Sequence, residues 1–175
     1  PYVEIAKKEK IKIDFHPFIH VEGVDSKELR TQKIDLTQYT GIIFTSKNAV
    51  DHYFRLAEEM RFSVPDTMRY ICQSEAIANY LQKQIVYRKR KISFGDKNFA
   101  DLLPLFKKYP SEKYLLPSSD VLNDDVPKTL EKADVDWTRA IMYRTVCSDL
   151  SDITVKDYDM LVFFSPQGIK SLQQN

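Results

Sequence analysis

The chain of 175 residues carries 26 Lys and Arg against 25 Asp and Glu, a formal net charge of +1, which gives it no general attraction to nucleic acid or to an anionic membrane surface. Hydrophobic residues make up 43% and aromatics 12%, enough to bury a core, while 29% charged residues keep the surface solvated and exclude a disordered chain or a coiled coil. The longest uncharged stretch near the C-terminus, Met160 to Ile169, is about half of the roughly 20 residues that a membrane-spanning helix needs.

In chain order, Pro1-Tyr2 opens inside a helical pattern, and strand candidates follow at Ile11 to Phe15, Gly41 to Thr45, Arg69 to Cys72, Gln84 to Tyr87, Lys113 to Leu116, Trp137 to Val146 and Met160 to Phe164. Between them lie helical patterns: Ala49, Tyr53, Phe54 and Leu56; Ala76, Ala78, Tyr80 and Leu81; Phe99, Leu102, Leu103 and Phe106. The alternation predicts an α/β fold, a parallel sheet with helices on both faces. Two longer extended segments, His16 to Val21 and the far end of the Trp137 to Val146 run, read as paired crossover strands between two lobes. Residues 19–147 then make one complete lobe, and 1–18 with 148–175 make part of another. The chain ends at Gln173-Gln174-Asn175 within a helical pattern, so it reads as a fragment. Its two cysteines, Cys72 and Cys147, have no second Cys or His at metal-ligand spacing, which predicts a reduced, cytoplasmic protein without a metal site.

Compared with itself, the chain repeats a pattern. Tyr39-Thr-Gly-Ile-Ile-Phe-Thr-Ser-Lys-Asn-Ala-Val50 aligns without gaps onto Tyr158-Asp-Met-Leu-Val-Phe-Phe-Ser-Pro-Gln-Gly-Ile169. Each reads as a buried strand, a Ser at the strand-to-helix turn, a small residue three positions on and a β-branched residue. This predicts two similar lobes with Ser46 and Ser165 at equivalent turns.

The segments Ile43-Phe44-Thr45-Ser46-Lys47-Asn48-Ala49-Val50, Leu116-Pro117-Ser118-Ser119-Asp120 followed by Pro127-Lys128-Thr129-Leu130, Met142-Tyr143-Arg144-Thr145-Val146 and Phe163-Phe164-Ser165-Pro166-Gln167-Gly168 occur together, in this order. In that succession of short blocks the sequence resembles the uroporphyrinogen-III synthase family. The resemblance implies two flavodoxin-like α/β lobes joined by a two-stranded connection, an active site in the cleft between them and no cofactor. It implies a lyase of tetrapyrrole and heme biosynthesis that closes hydroxymethylbilane, a linear polycarboxylate tetrapyrrole, to uroporphyrinogen III with loss of water and inversion of the terminal ring. At Ile71-Cys72-Gln73-Ser74-Glu75-Ala76 the sequence departs from the family pattern, which has Gly in place of Cys72 and Thr in place of Glu75.

That chemistry requires acid assistance to the departing hydroxyl, stabilisation of a cationic intermediate and a pocket that holds a flexible chain. Tyr143 matches the family's functional tyrosine, and a phenol with a pKa near 10 remains a proton donor at neutral pH. Thr45, Ser46, Lys47 and Asn48, with Ser165, Pro166 and Gly168 at the equivalent turn, are candidate carboxylate binders, because backbone N–H groups at a helix start favour an anion. Ser74, Ser118 and Ser119 complete the candidates. Helix capping alone also explains the serines and threonine. The basic run Tyr87-Arg88-Lys89-Arg90-Lys91 reads as a solvated strand end or as a steering patch for the anionic substrate. His16, His20 and His52 read as structural or exposed, and Trp137 as a packing aromatic. The sequence further predicts a monomer whose partner is a small molecule, with a hinge near residues 16–20 and 146–150. The alternative reading is a noncatalytic binding or regulatory module that keeps the same two-lobed fold.

Overall fold

The computed structural model describes residues 1–86, 90–96 and 98–174. Its strands are β1 (Ile19–Gly23), β2 (Gly41–Phe44), β3 (Arg69–Cys72), β4 (Ile92–Phe94), β5 (Lys113–Ser119) and β6 (Asp136–Cys147), in one six-stranded sheet of order β1-β6-β5-β2-β3-β4. The pairs β2–β3, β3–β4, β2–β5 and β5–β6 are all parallel. The α-helices are α1 (Tyr2–Glu9), α2 (Ser26–Thr31), α3 (Lys47–Glu59), α4 (Glu75–Leu81), α5 (Leu103–Lys108), α6 (Asp125–Ala133) and α7 (Pro166–Gln174).

The central strands are continuous apolar runs because both faces of the sheet are covered, and alternation along each strand divides its side chains between two cores. Ile42 and Phe44 of β2, Tyr70 and Cys72 of β3 and Leu115 of β5 enter the first core, with Leu29, Val50, Tyr53, Leu56 and Leu81 from α2, α3 and α4. Ile43, Ile71, Tyr114 and Leu116 point the other way and meet Phe106 of α5 with Val126 and Leu130 of α6. The chain moves outward from β2 through β3 to β4, with α3 and α4 on one face, then crosses back on the opposite face to pair β5 with β2. Counted from β2, the parallel strands stand in the order 3-2-1-4-5. This doubly wound order differs from flavodoxin's own 2-1-3-4-5, because here the second and third strands extend away on the same side of the first. It places a topological switch point between β2 and β5, where α/β sheets bind ligands beyond the carboxyl ends of their strands.

The chain divides into two compact units, one of Pro1–Val21 with Val146–Asn175 and one of Glu22–Thr145. The first holds α1 and α7 and an aromatic cluster: Tyr2 meets Phe15 and Phe164 at ring separations of 6.0 and 5.8 Å, and Phe18 meets Phe163 edge-on at 5.4 Å. The second holds α2 to α6, both cores and most of the sheet.

Three of the expected strands are corrected. Residues 11–15 and 160–164 carry no strand, although their sequences alternate, because a strand exists only through a hydrogen-bonded ladder and neither segment has one among the described residues. Their apolar side chains Ile11, Phe15, Met160, Val162 and Phe164 are accordingly exposed. Residues 84–86 form a turn and bend after α4, and the fourth strand of the series lies instead at Ile92–Phe94, paired in register Tyr70 to Ile92. Tyr87, Arg88 and Lys89 of the basic run lie outside the described residues. The expected crossover segment at His16 to Val21 becomes β1 only from Ile19 onward.

One buried group in the first core has no partner: the Tyr53 hydroxyl is enclosed and makes no hydrogen bond among the described residues. Burial pushes its pKa far above the ordinary 10. A buried hydroxyl without a partner costs about 1–3 kcal/mol in lost hydration. Tyr53→Phe is therefore expected to stabilise the full-length protein by about 1 kcal/mol, measured as a rise in the urea midpoint at constant m-value. A lower midpoint would show that the hydroxyl is satisfied in solution.

Candidate active site

The switch point holds a cavity of about 570 Å³, lined by residues that follow β2, β3 and β5 and by β6 and α6. Its position follows from the topology: Thr45 directly follows β2, Gln73 directly follows β3, Ser118 and Ser119 end β5, and Tyr143 comes from the neighbouring β6.

Tyr143 owes its placement to a bulge. Ser118 pairs with Ile141, yet Ser119 pairs with Tyr143, so Met142 is an extra residue on β6. A bulge of this kind bends the strand and re-aims the following side chain. Met142 and Tyr143 are consequently both buried, where plain alternation would separate them. The Tyr143 backbone is held by Asp120, whose N–H donates to the Tyr143 carbonyl at 3.2 Å and whose carboxylate accepts the Thr145 N–H, also at 3.2 Å.

The Tyr143 phenol is 6% exposed and lies 2.9 Å from Ser46 Oγ. Ser46 is the N-cap of α3, and its oxygen accepts the Ala49 N–H at 3.0 Å. With that acceptance in place, the Ser46 proton can donate to Tyr143 Oη and leave the phenolic proton for a ligand. One Ser46 hydroxyl thus both caps α3 and partners the Tyr143 phenol. Burial raises the Tyr143 pKa above its ordinary value near 10, opposed by the hydrogen bond to Ser46, so the phenol stays protonated at neutral pH.

His52, one and a half turns along α3, stacks on Tyr143 with ring centres 5.1 Å apart and planes within 17°. Its Nδ1 accepts from Arg55 Nε at 3.4 Å, which places the imidazole proton on Nε2. The close packing requires Gly23 on β1, because a Cβ there would lie 2.8 Å from the His52 ring and 2.7 Å from the Arg55 guanidinium. Burial, then the Arg55 charge, lowers the His52 pKa from 6.5, with Asp51 opposing. The folded state thus resists a proton that the unfolded chain accepts. Stability is complete above about pH 6.5 and falls as the pH drops below that value toward the depressed folded pKa. His52→Phe, which keeps a ring against Tyr143, is expected to flatten that slope in urea titrations between about pH 5 and 7; an unchanged slope would assign it to other groups.

Ser118 and Ser119 line the cavity, but their hydroxyls are engaged. Ser118 donates to the Ser119 carbonyl at 3.0 Å and accepts from Arg139 Nε at 2.9 Å. Ser119 donates to Asp120 Oδ1 at 2.9 Å and accepts the Val121 N–H at 3.1 Å. Arg139 completes the turn by donating to the carbonyls of Ser119 and Asp120, both at 2.8 Å.

Of the candidates from sequence, Thr45, Ser118, Ser119 and Tyr143 line the cavity, and Ser46 backs Tyr143. Lys47 and Asn48 are exposed on the first turn of α3, outside the lining, with the Lys47 ammonium 5.4 Å from the Tyr80 ring centre. Ser74 precedes α4 without a side-chain cap bond, and its neighbour Gln73 takes the lining position. Ser165, Pro166 and Gly168 belong to the other unit, where Ser165 Oγ accepts the Gly168 N–H at 3.4 Å, the counterpart of the Ser46–Ala49 bond. The sequence reading missed His52, Arg139 and the α6 lysines Lys128 and Lys132. Arg139 had a signal, a charged residue only three positions after the start of the strand and two before its apolar centre; the others come together only through the fold. Among the described residues no three His, Cys, Asp or Glu side chains gather as a metal centre needs. No helix among them is long and apolar enough to cross a membrane.

Fold and site together define a doubly wound α/β protein with a cavity at its switch point and a buried tyrosine at the cavity wall. The family model for uroporphyrinogen-III synthase HemD matches residues 1–175, and the chain belongs to that family. A mutant uroporphyrinogen III synthase from the extremely thermophilic bacterium Thermus thermophilus is similar at 14% identity and a TM-score of 0.62, over 84% of this chain and 58% of that one. The uroporphyrinogen-III synthetase from Helicobacter pylori is similar at 18% identity and a TM-score of 0.56, over 90% of this chain and 69% of that one. At these identities the likeness is one of fold. The chain thus spans less than two thirds of the length of the Thermus protein. No curated protein sequence matches the chain.

Proposed function

We propose that this chain is the part of a uroporphyrinogen-III synthase that supplies its proton donor, acting on hydroxymethylbilane to form uroporphyrinogen III. The observation that carries the reading is the Tyr143 phenol, buried, protonated and bonded to the N-cap Ser46 at the wall of the switch-point cavity, in a chain of this family.

In this mechanism the pyrrole nitrogen lone pair of the terminal ring expels the hydroxymethyl oxygen, the C–O bond breaks, and the Tyr143 proton leaves with the oxygen as water. Ser46, polarised by the Ala49 N–H and the start of α3, stabilises the phenolate that remains. The ring at the opposite end attacks this cation through its already substituted α-carbon to give a spiro intermediate, its original bridge bond breaks, and its free α-carbon bonds to the released bridge carbon, so that the attacking ring is inverted as the macrocycle closes. The proton lost as the ring regains aromaticity returns to Tyr143, so water is the sole by-product. Thr45 shapes the cavity beside the phenol. Ser118 and Ser119 form a rigid wall, their hydroxyls fixed by Arg139 and Asp120. Ser165, Pro166 and Gly168 contribute the carboxylate-binding character of their own helix start, with residues 1–18 and 148–175 as part of one lobe and 19–147 as the other.

The test uses the complete reading frame. Purified protein receives freshly generated hydroxymethylbilane, and the oxidised products are resolved into type I and type III uroporphyrin. Excess type III is the expected result. Only the spontaneous type I product, from folded protein, would favour the binding-module reading.

A further inference from the structure

A polycarboxylate in this cavity needs cationic or hydrogen-bonding partners, and the serines at its wall have none to spare. The Ser118 proton goes to the Ser119 carbonyl and the Ser119 proton to Asp120. Arg139, the nearest guanidinium to that turn, spends its donors on Ser118 Oγ and the carbonyls of Ser119 and Asp120. Among the described residues that line the cavity, only Asp125, Lys128 and Lys132 are charged.

Lys128 and Lys132 stand four residues apart on α6, so they rise from the same face of the helix. The packing of that helix sets which face this is. Val126, Thr129, Leu130 and Ala133 are buried against the second core, which leaves both lysines at the cavity. Neither forms an ion pair among the described residues, so their charges are available. Asn123, just before α6, accepts the Asp125 N–H at 2.9 Å through Oδ1, which leaves its amide nitrogen as a neutral donor beside them. Asp125 is the one acidic lining group against these two cations, and the site favours an anion.

We propose that Lys128 and Lys132 are the carboxylate anchors of this cavity, gripping side-chain carboxylates of the linear tetrapyrrole while its reactive end reaches Tyr143. This inference rests on the synthase reading above. It assigns substrate binding to two residues of α6 and removes it from the Ser118 and Ser119 hydroxyls. Two point charges on flexible stems suit a substrate whose carboxylates must move as the terminal ring inverts, because an ammonium holds an anion without fixing its direction.

The experiment uses the full-length protein with the double variant Lys128→Gln/Lys132→Gln, the charge-retaining Lys128→Arg/Lys132→Arg, and Lys27→Gln/Lys107→Gln as a control that removes two exposed charges away from the cavity. Two quantities are read: the steady-state parameters of type III formation, and the affinity for uroporphyrin III followed by fluorescence at low and raised salt. The glutamine double variant is expected to raise both KM and the porphyrin Kd about tenfold, with kcat within about twofold and a shallower salt dependence. The arginine variant, which restores the charge, is expected to recover most of the lost porphyrin affinity, and the remote control to stay near wild type. Porphyrin affinity equal to that of the remote control would overturn the proposal. A wild-type protein that forms only type I product would instead fail the synthase reading, and the porphyrin titration would still decide whether the lysines bind the polycarboxylate.

Discussion

Tyr143→Phe in the full-length protein is expected to lower kcat for type III formation about a hundredfold while leaving the porphyrin Kd within about twofold. The substitution keeps the ring, its stacking on His52 at 5.1 Å and its packing beside Met142, and removes only the oxygen bonded to Ser46. A loss confined to kcat therefore reports the proton and not the shape of the cavity. Ser46→Ala makes a useful companion: it removes both the α3 cap and the partner of the phenol, so it is expected to cost about 1 kcal/mol of stability and a smaller part of kcat. Because burial holds the Tyr143 pKa above 10, the wild-type alkaline limb attributable to this phenol lies above about pH 10. Steady-state kinetics with chromatographic separation of the isomers checks the result, and an unchanged kcat in the Phe variant would remove Tyr143 from the acid role.

The largest loss of stability is expected from Phe44→Ala. Phe44 ends the central strand β2, is fully buried, and meets Tyr53 at 5.8 Å, Tyr70 at 6.1 Å and Phe54 at 6.5 Å between ring centres. Truncation of a buried aromatic costs about 3–5 kcal/mol, the lost transfer energy and the cavity left behind. This site is on the severe side of that range, because the surrounding rings are rigid and are held on separate elements, α3 and β3. The effect also reaches the candidate site: Thr45 and Ser46 follow Phe44 directly, so loosening the end of β2 loosens the partner of Tyr143. Equilibrium urea unfolding of the full-length protein measures the loss, and kcat at a temperature where the variant stays folded measures the coupling. A loss below about 1 kcal/mol would mean that the ring cluster closes over the gap.

Much of this arrangement was legible in the residues. The strands at Gly41, Arg69 and Lys113 stand out because a strand buried on both faces needs an apolar run, and their flanking helices because one face must be apolar every three to four residues. The Ser46 turn was legible for a local reason: an N-cap oxygen serves donors only three residues away, and Ser165 to Gly168 repeats the geometry. Expectation failed where formation depends on a partner strand. The alternating residues 11–15 and 160–164 satisfy the pattern and carry no ladder, whereas the short Ile92–Phe94 run is a strand because Tyr70 to Cys72 offer it a ladder.

By itself, the sequence determined the α/β class and the family blocks, and through them it nominated Tyr143 and Ser46 as candidates, because those rest on periodicity, capping and short contiguous segments. Only the tertiary structure decided that Tyr143 turns onto Ser46 through a bulge at Met142, that His52 stacks on it across a gap kept open by Gly23, and that Arg139 locks the Ser118–Ser119 turn. The same is true of Lys128 and Lys132, which reach the cavity wall only once α6 has buried its apolar face. Strand register, helix rotation and strand order are set by contacts between residues far apart in the chain, and no local pattern carries them.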